Sequence, residues 1–306
     1  MTFTDQLQAA ERRADSMLCV GLDPEPAKFP GAWRGDASRI FDFCAAIVDA
    51  THDLVSAFKP QIAYFAAHRA EDQLERLMAH IKRVAPAVPV ILDAKRGDIG
   101  ATAVMYAVEA FERYKADALT LSPFMGFDSI EPYFKYEGKG LILLCRTSNP
   151  GGSDLQAQRL VGGGVGDIAD GLAATGHPTS ADPACCSQPG DRLYEHIARL
   201  AAGPWNRSGQ LGLVVGATYP AEIARVRALA PTLPLLIPGV GAQGGDAQAT
   251  VQAGWRGSSG PGAARSSGPI IVNSSRAVLY ASAGDDFASA ARAVADNTRR
   301  LLNAAR

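Results

Sequence analysis

Short apolar runs alternate along this chain with longer stretches in which apolar residues recur every three or four positions. The longer stretches predict amphipathic helices, for example where Leu74, Leu77, Met78 and Ile81 follow one another. The short runs predict strands of a parallel sheet, because such strands are covered on both faces. Eight runs of this kind occur, at residues 18–22, 54–58, 88–92, 118–121, 141–145, 211–215, 235–237 and 270–272.

Strand followed by helix, repeated eight times, predicts an α/β protein with the (β/α)8 TIM barrel fold. A doubly wound open sheet is the alternative. The length of 306 residues suits one catalytic barrel over residues 1–306, with an insertion at about 151–208 after the fifth strand. That insertion is expected on the catalytic face, where lids form, whereas the Gly/Ser-rich segment 257–268 is expected at the opposite face.

Composition excludes several classes of protein. Thirty basic and 31 acidic residues leave a formal charge of −1, which provides no general attraction to nucleic acid or to an anionic membrane. No apolar run approaches the roughly 18 residues of a membrane-spanning helix. The five cysteines are odd in number, which indicates reduced thiols in the cytoplasm. Adjacent Cys185 and Cys186 lack the spacing of zinc ligands.

A dense cluster of charge follows the third apolar run, in the segment Leu-Asp-Ala-Lys-Arg-Gly-Asp-Ile-Gly at residues 92–100. Strand periodicity places Asp93 and Lys95 on the same side, and Asp98 precedes a helix predicted to begin at Ile99. Carboxylates on both sides of an ammonium favour its charged form, so Lys95 is predicted to donate a proton. An ordinary salt bridge at a strand end is the alternative interpretation.

Other polar residues stand at the ends of the predicted strands. Asp23 follows the first strand, Lys59 the second and Ser148 the fifth, and in a barrel these ends meet at one rim. A glycine-rich stretch at 238–246 follows the seventh strand, and Arg276 follows the eighth. Free backbone N–H groups and a guanidinium at this place indicate a phosphate site, although glycines required only for a tight turn would give the same pattern.

Five motifs in this order resemble those of the orotidine 5′-phosphate decarboxylase family, in particular its longer bacterial members. Together they span positions 21 to 276, which makes the match more specific than the Asp-x-Lys-x-x-Asp pattern alone. The motifs are Gly21-Leu22-Asp23, Phe58-Lys59-Pro60-Gln61, Leu92-Asp93-Ala94-Lys95-Arg96-Gly97-Asp98-Ile99, Pro238-Gly239-Val240-Gly241-Ala242-Gln243-Gly244-Gly245-Asp246 and Ser275-Arg276.

The resemblance implies roles for the charged residues at the strand ends. Asp23 and Lys59 would hold the ribose hydroxyls of the nucleotide substrate. Asp93 would lie against the departing carboxylate, and Lys95 would deliver a proton to C6 of the pyrimidine. The reaction would convert orotidine 5′-phosphate to uridine 5′-phosphate and CO2 in de novo pyrimidine biosynthesis.

The resemblance also implies contacts to the two ends of the nucleotide. Ser148 would meet the amide edge of the pyrimidine, although the neighbouring Thr147 offers a second hydroxyl for that role. Gln243 and Arg276 would bind the 5′-phosphate. No cofactor and no metal ion are expected, because fixed charge would stabilise the carbanion left at C6.

In this family the second aspartate of the charged motif, here Asp98, and the following Ile99 enter the active site of a partner subunit, which implies a homodimer.

A Mg-dependent sugar-phosphate decarboxylase or aldolase of the same barrel superfamily is the alternative function. Those relatives carry an acidic residue where Lys59 stands. A Schiff-base aldolase and a catalytically silent barrel are further alternatives, and the acids beside Lys95 argue against the first because it needs a neutral lysine.

Overall fold

Parallel strands form the centre of the structure. The computed structural model of the chain describes residues 1–160, 190–240, 245–255 and 268–306. The strands within these ranges are β1 Leu18–Leu22, β2 Ala57–Pro60, β3 Ile91–Arg96, β4 Ala118–Leu121, β5 Gly140–Arg146, β6 Leu211–Val215, β7 Leu235–Pro238 and β8 Ile270–Ser274.

The strands close into a barrel. Their order in the sheet is β2-β1-β8-β7-β6-β5-β4-β3, and every ladder is parallel. Two isolated parallel bridges, Phe58 with Val90 and Gln61 with Asp93, join β2 to β3 and complete the circle. The predicted (β/α)8 TIM barrel is therefore confirmed, and the open-sheet alternative is wrong.

Helices connect successive strands and cover the outside of the barrel. The apolar stripes read from the sequence face the barrel, as the burial of Leu74, Leu77, Met78 and Ile81 shows. The connection from β4 to β5 contains the 3-10 helices Phe127–Ser129 and Glu131–Lys135. Among the described residues the α-helices are α1 Phe3–Ala14, α2 Ile40–Thr51, α3 Ile62–Ala66, α4 Glu71–Val84, α5 Gly100–Val108, α6 Gly152–Leu155, α7 Leu193–Ala202, α8 Pro220–Leu229, α9 Ala247–Gly254, α10 Arg276–Leu279 and α11 Phe287–Ala304.

Strands β2 and β3 begin three residues later than predicted. The Leu54 N–H donates to the Thr51 carbonyl at 2.9 Å, and the Val88 N–H donates to the Ala85 carbonyl at 2.9 Å. These bonds form turns at the ends of α2 and α4. Leu54 and Val88 are buried in the core all the same. The apolar pattern therefore identified buried residues correctly but placed the strand starts too early.

Helix α5 begins at Gly100 and not at Ile99 as predicted. Ile99 is extended, with φ −114° and ψ 159°. Gly100 has a φ of 55°, in the left-handed region that glycine adopts without a steric penalty. The chain turns between Ile99 and Gly100, and helical hydrogen bonding follows that turn.

The lower part of the barrel is filled by small and medium apolar side chains. Phe3 and Leu7 of α1 pack against them and cover the amino-terminal end, and Phe3 N–H is anchored to the Gly138 carbonyl at 2.7 Å. The polar residues described below lie above this layer, at the carboxyl ends of the strands. The inward-facing members of the layer are Cys19, Ala57, Ile91, Ala118, Ile142, Val214, Leu236 and Ile271.

Much of the two predicted irregular segments lies outside the described residues. Of the segment 151–208, the structure describes α6 and α7 but not residues 161–189, which include Cys185 and Cys186. Nearly all of the segment 257–268 is outside as well. The predicted lid and the predicted loop at the opposite face therefore stay predictions.

Two further observations bear on the environment of the chain. Cys19, Cys44 and Cys145 are buried free thiols. None of the helices in the described ranges is both long enough and apolar enough to cross a bilayer.

The packing of α1 gives a stability prediction. Leu7 is fully buried at the amino-terminal end of the barrel, so Leu7→Ala is expected to lower the free energy of unfolding by about 2–5 kcal/mol. Leu301→Ala in α11 is the matched control, because that leucine is 54% exposed and its loss should cost less than about 0.5 kcal/mol. Chemical denaturation of both variants measures the difference, and equal losses would contradict the proposed packing.

Candidate active site

A cavity of about 490 Å³ opens at the carboxyl ends of the strands. This is the rim at which the catalytic groups of TIM barrels lie, because the loops that follow the strands surround it. Its lining comprises Asp23, Lys59, Gln61, Tyr64, Asp93, Lys95, Thr120, Leu144, Thr147, Ser148, Asn149, Val214, Leu236, Pro238, Gly239, Val240, Asn273, Ser275 and Arg276.

Asp93 accepts hydrogen bonds from two lysines at the floor of the cavity. Lys59 Nζ donates to Asp93 Oδ2 at 2.8 Å, and Lys95 Nζ donates to Asp93 Oδ1 at 2.7 Å. The Lys59 side chain is 5% exposed and the Asp93 side chain 10%, whereas Lys95 is 45% exposed. Lys59 is thus a buried cation at the floor of the cavity, and Lys95 extends from the same carboxylate into the open part of the cavity.

The charges in this cluster shift each other's protonation. Burial alone would raise the pKa of Asp93, but Lys59 and Lys95 outweigh it and hold the pKa of that carboxyl well below its ordinary value. Burial would likewise lower the pKa of Lys59, but the carboxylates of Asp93 and Asp23 raise it above its ordinary value. Asp93 is therefore negative and Lys59 positive at neutral pH.

Lys95 lies in a bulge of β3 and lines the cavity. Leu92 pairs with Leu119 and Arg96 with Leu121, so β3 advances from residue 92 to 96 while β4 advances only from 119 to 121. Lys95 takes a φ of 47°, a left-handed conformation that is uncommon outside glycine. The regular strand pleat predicted from the sequence is therefore wrong here, although Asp93 and Lys95 do meet as predicted.

The hydroxyl of Thr120 in β4 lies inside this bulge. It accepts from the backbone N–H groups of Ala94 and Lys95, both at 3.0 Å, and it donates to Asp93 Oδ1 at 2.9 Å. Thr120 is 1% exposed overall. One side chain therefore contacts both the bulged backbone and the carboxylate that binds the two lysines.

Asp23 presents an unsatisfied acceptor to the cavity. Its backbone carbonyl accepts from the Tyr280 hydroxyl at 2.8 Å, which fixes the end of β1 against α10 and its following residues. Its Oδ1 atom is buried and has no hydrogen-bond partner among the described residues. A buried acceptor without a donor is costly, so this oxygen is suited to a hydroxyl group of a ligand.

The two hydroxyls after β5 differ in their surroundings. Thr147 Oγ1 donates to Asn149 Oδ1 at 2.7 Å and accepts from Gln156 Nε2 at 3.0 Å, so neighbouring side chains occupy it. Ser148 also lines the cavity, and the Gly216 backbone lies so close to it that a Cβ at 216 would stand 2.7 Å from Ser148 Cβ. Both residues line the cavity, so both stay candidates for contact with a ligand.

The predicted phosphate site is described in part. Arg276 is exposed at the first turn of α10 and lines the cavity next to Gly239 and Val240. Gly239 has a φ of 102°, which requires glycine, and its carbonyl accepts from the Gly245 N–H at 3.1 Å. Gln243 lies outside the described residues. The loop after β7 thus starts and ends at the rim beside Arg276.

Asp98 and Ile99 do not contribute to the cavity of their own chain. Asp98 Oδ1 accepts from the Ile99 backbone N–H at 2.8 Å, and Asp98 is half-buried and forms no ion pair with Lys95. Ile99 is 54% exposed, which is unusual for a large apolar side chain. The expectation that two acids of the same chain flank Lys95 is therefore wrong, because the backbone turns away after Arg96.

Comparisons with known proteins identify the family of this chain. The family model described as orotidine 5′-phosphate decarboxylase / HUMPS matches residues 16–294. A protein of Polaromonas naphthalenivorans named orotidine 5′-phosphate decarboxylase is 71% identical over 306 residues, covering 100% of this chain and 97% of its own length. The solved OMP decarboxylase of Leishmania donovani has a TM-score of 0.73 and 35% identity, covering 99% of both chains. The UMP synthase of the same organism has a TM-score of 0.78 and 38% identity, covering 100% of this chain and 56% of the other.

The chain belongs to the orotidine 5′-phosphate decarboxylase / HUMPS family. The family match begins before β1 and ends within α11, so it includes all eight described strands. The resemblance stated from five sequence motifs is thereby confirmed.

Several residues that line the cavity of this family member were not among the sequence-predicted site residues. They are Thr120, Gln61, Tyr64 and Asn273. For Thr120 a signal was present, because it is the one hydroxyl in the apolar run of β4 and stands near the end of that strand. Asn273 is 7% exposed, and its Oδ1 has no partner among the described residues.

The ion pairs of Asp93 give a prediction about stability and pH. Asp93→Asn leaves Lys59 buried without its anion, so the free energy of unfolding should fall by roughly 3 kcal/mol at neutral pH. Because the pKa of Asp93 is lowered in the folded state, its contribution is fully present above about pH 4 and is lost as pH falls further. Unfolding free energies measured across that range should therefore depend less on pH in Asp93→Asn than in the parent.

Asp53→Asn is the control for this measurement. Asp53 pairs with Arg292 at 2.6 Å but is 49% exposed, so its replacement should cost less than about 1 kcal/mol. If both variants lose the same free energy of unfolding, the buried ion pair does not contribute as described.

Proposed function

We propose that this chain converts orotidine 5′-phosphate to uridine 5′-phosphate and CO2, as the carboxy-lyase of that step in de novo pyrimidine biosynthesis. The single observation that carries the proposal is the pair of lysines bound to one buried carboxylate at the floor of the cavity. The close relative named for this reaction supports it, since it is 71% identical over the whole of this chain.

Lys95 is the proton donor in the proposed mechanism. The bond between C6 and the carboxylate breaks, CO2 leaves, and the electron pair stays on C6 until a proton from Lys95 Nζ neutralises it. No neighbouring group of the substrate delocalises that pair well, so fixed charge has to stabilise it. Opposite unit charges about 4 Å apart attract by roughly 4 kcal/mol at an effective dielectric constant near 20. Lys95 is half-exposed toward the cavity, as this role requires.

Asp93 has two roles in the proposed mechanism. It holds Lys95 Nζ at 2.7 Å, and its negative charge faces the place where the substrate carboxylate would lie. Repulsion between two carboxylates is relieved when CO2 departs. Lys59, buried against the other oxygen of Asp93, keeps Asp93 ionised through the reaction.

The remaining site residues bind the parts of the nucleotide that do not react. Asp23 Oδ1 is an acceptor without a partner among the described residues, and with Lys59 it would hold the ribose hydroxyls. Ser148 would contact the amide edge of the pyrimidine. Arg276, together with Gln243, would bind the 5′-phosphate, and this remote binding energy can be used to position the ring for reaction.

The Mg-dependent sugar-phosphate alternative fits the site less well. Those relatives carry an acidic residue where Lys59 stands, whereas here a buried lysine is already paired with Asp93. A divalent cation beside Asp93 would have to displace Lys59 or lie against its charge. We therefore assign a reaction without a metal ion or an organic cofactor.

We also propose that the enzyme is a cytoplasmic homodimer. Ile99 is an exposed apolar residue, and Asp98 has no ion-pair partner among the described residues, as expected for groups that complete the partner's site. The buried free thiols suit a reducing compartment. The chain is proposed to be one catalytic domain over residues 1–306, with its insertion at about 151–208.

An absorbance assay tests directly whether the protein decarboxylates orotidine 5′-phosphate. Adding orotidine 5′-phosphate with a chelator present should cause loss of the orotate-type ultraviolet absorbance, because no metal takes part. Lys95→Ala should reduce this rate by at least about 100-fold, since general acid catalysis contributes roughly that much or more. Unchanged absorbance with folded parent enzyme would reject the decarboxylase, and activity strictly dependent on Mg²⁺ would favour the alternative.

Mixing two inactive variants tests whether Asp98 of one subunit completes the active site of its partner. Lys95→Ala and Asp98→Ala would each lack one group in every site of their homodimers. After joint unfolding and refolding in equal amounts, mixed dimers would contain one intact site, which restores roughly one quarter of the parent activity. Lys95→Ala mixed with itself is the control, and no recovery in the mixture would show that Asp98 acts within its own chain or not at all.

A further inference from the structure

The hydroxyl of Thr120 uses its full hydrogen-bonding capacity. A hydroxyl has one donor and two acceptor lone pairs. Both lone pairs accept backbone N–H groups, from Ala94 and Lys95. Asp93 is ionised and can only accept, so the hydroxyl proton must point at its Oδ1 atom. Thr120 therefore has no remaining capacity to bind a substrate.

The backbone that Thr120 holds is the backbone that aims the proposed proton donor. Lys95 lies in the left-handed region in the middle of the β3 bulge, and its backbone N–H donates to the Thr120 hydroxyl. Without this acceptor, the backbone N–H groups of Ala94 and Lys95 would each lose a hydrogen bond, and the bulged backbone would shift. A shift of this backbone would displace Lys95 Nζ relative to Asp93 and to the cavity.

We propose that Thr120 is a positioning residue for the decarboxylation, acting through Asp93 and Lys95 and not on the substrate. The inference rests on the proposed function, since it assigns Thr120 the task of orienting the proton donor named there. The Thr120 hydroxyl contacts both the backbone N–H of Lys95 and the carboxylate of Asp93, which binds Lys95 Nζ. Misplacing a reacting group by about 1 Å is enough to slow a reaction by roughly 100-fold.

Three substitutions separate this role from ordinary packing. Thr120→Val removes the hydroxyl and keeps the shape, whereas Thr120→Ser keeps the hydroxyl and removes a methyl group. Thr51→Val is the matched control: Thr51 is also fully buried and its hydroxyl donates to the Ile47 carbonyl at 2.7 Å, but it lies in α2 and does not line the cavity. If Thr120→Val does not fold, Thr120→Ala takes its place under the same criteria.

The readouts are kcat and KM for orotidine 5′-phosphate, the inhibition constant of uridine 5′-phosphate, and thermal unfolding to show that each variant is folded. Thr120→Val should lower kcat by roughly 10- to 100-fold while KM and the inhibition constant change less than about threefold, because the lost interaction acts on the reacting atoms. Thr120→Ser and Thr51→Val should stay within about threefold of the parent kcat, because the first keeps the hydroxyl and the second is remote.

Three results would overturn the proposal. The first is a Thr120→Val enzyme with a kcat within about threefold of the parent, and the second is a Thr120→Ser enzyme that loses as much activity as Thr120→Val. The third is a loss confined to KM, which would place Thr120 in substrate binding. If the parent enzyme itself does not decarboxylate orotidine 5′-phosphate, the proposed function fails first, and that outcome is distinct because it precedes any variant.

Discussion

The structure depends on one buried carboxylate that accepts from two ammonium groups. Asp93 binds Lys59 through one oxygen and Lys95 through the other, and the energetic cost of burying the charges of Asp93 and Lys59 is offset only while the two stay paired. The interaction gives the two lysines different roles. Lys59 is buried and keeps Asp93 ionised, whereas the half-exposed Lys95 faces the cavity, where a substrate would bind.

The same interaction coincides with the place where the barrel closes. Strands β2 and β3 share no continuous ladder, only the bridges of Phe58 with Val90 and of Gln61 with Asp93. The ion pair from Lys59 to Asp93 also crosses this junction, and Asp93 itself belongs to one of the two bridges. The closing strands are therefore held together partly by the charges of the active site, and β4 adds the Thr120 hydroxyl from the other side of β3.

The sequence allowed the barrel and the location of the site to be predicted, because both follow from burial. Apolar runs marked the strands, and charged residues such as Asp23, Lys59 and Asp93 could only be tolerated at the strand ends. The hydrogen-bond geometry of the site could not be predicted from the apolar pattern. The bulge at Lys95 breaks the pleat without altering the apolar pattern, and Thr120 becomes relevant only once β3 and β4 are in register. Asp98 could be assigned a place only through family resemblance, since its proposed contacts lie on another subunit.

An experimental structure of the enzyme bound to uridine 5′-phosphate would test the role of Lys95 most sharply. We expect Lys95 Nζ within about 3.5 Å of pyrimidine C6, the spacing of a near-attack arrangement, with Asp93 still bound to both lysines. A nucleotide bound in this cavity with Lys95 Nζ turned into solvent, or a nucleotide bound elsewhere on the barrel, would contradict this role.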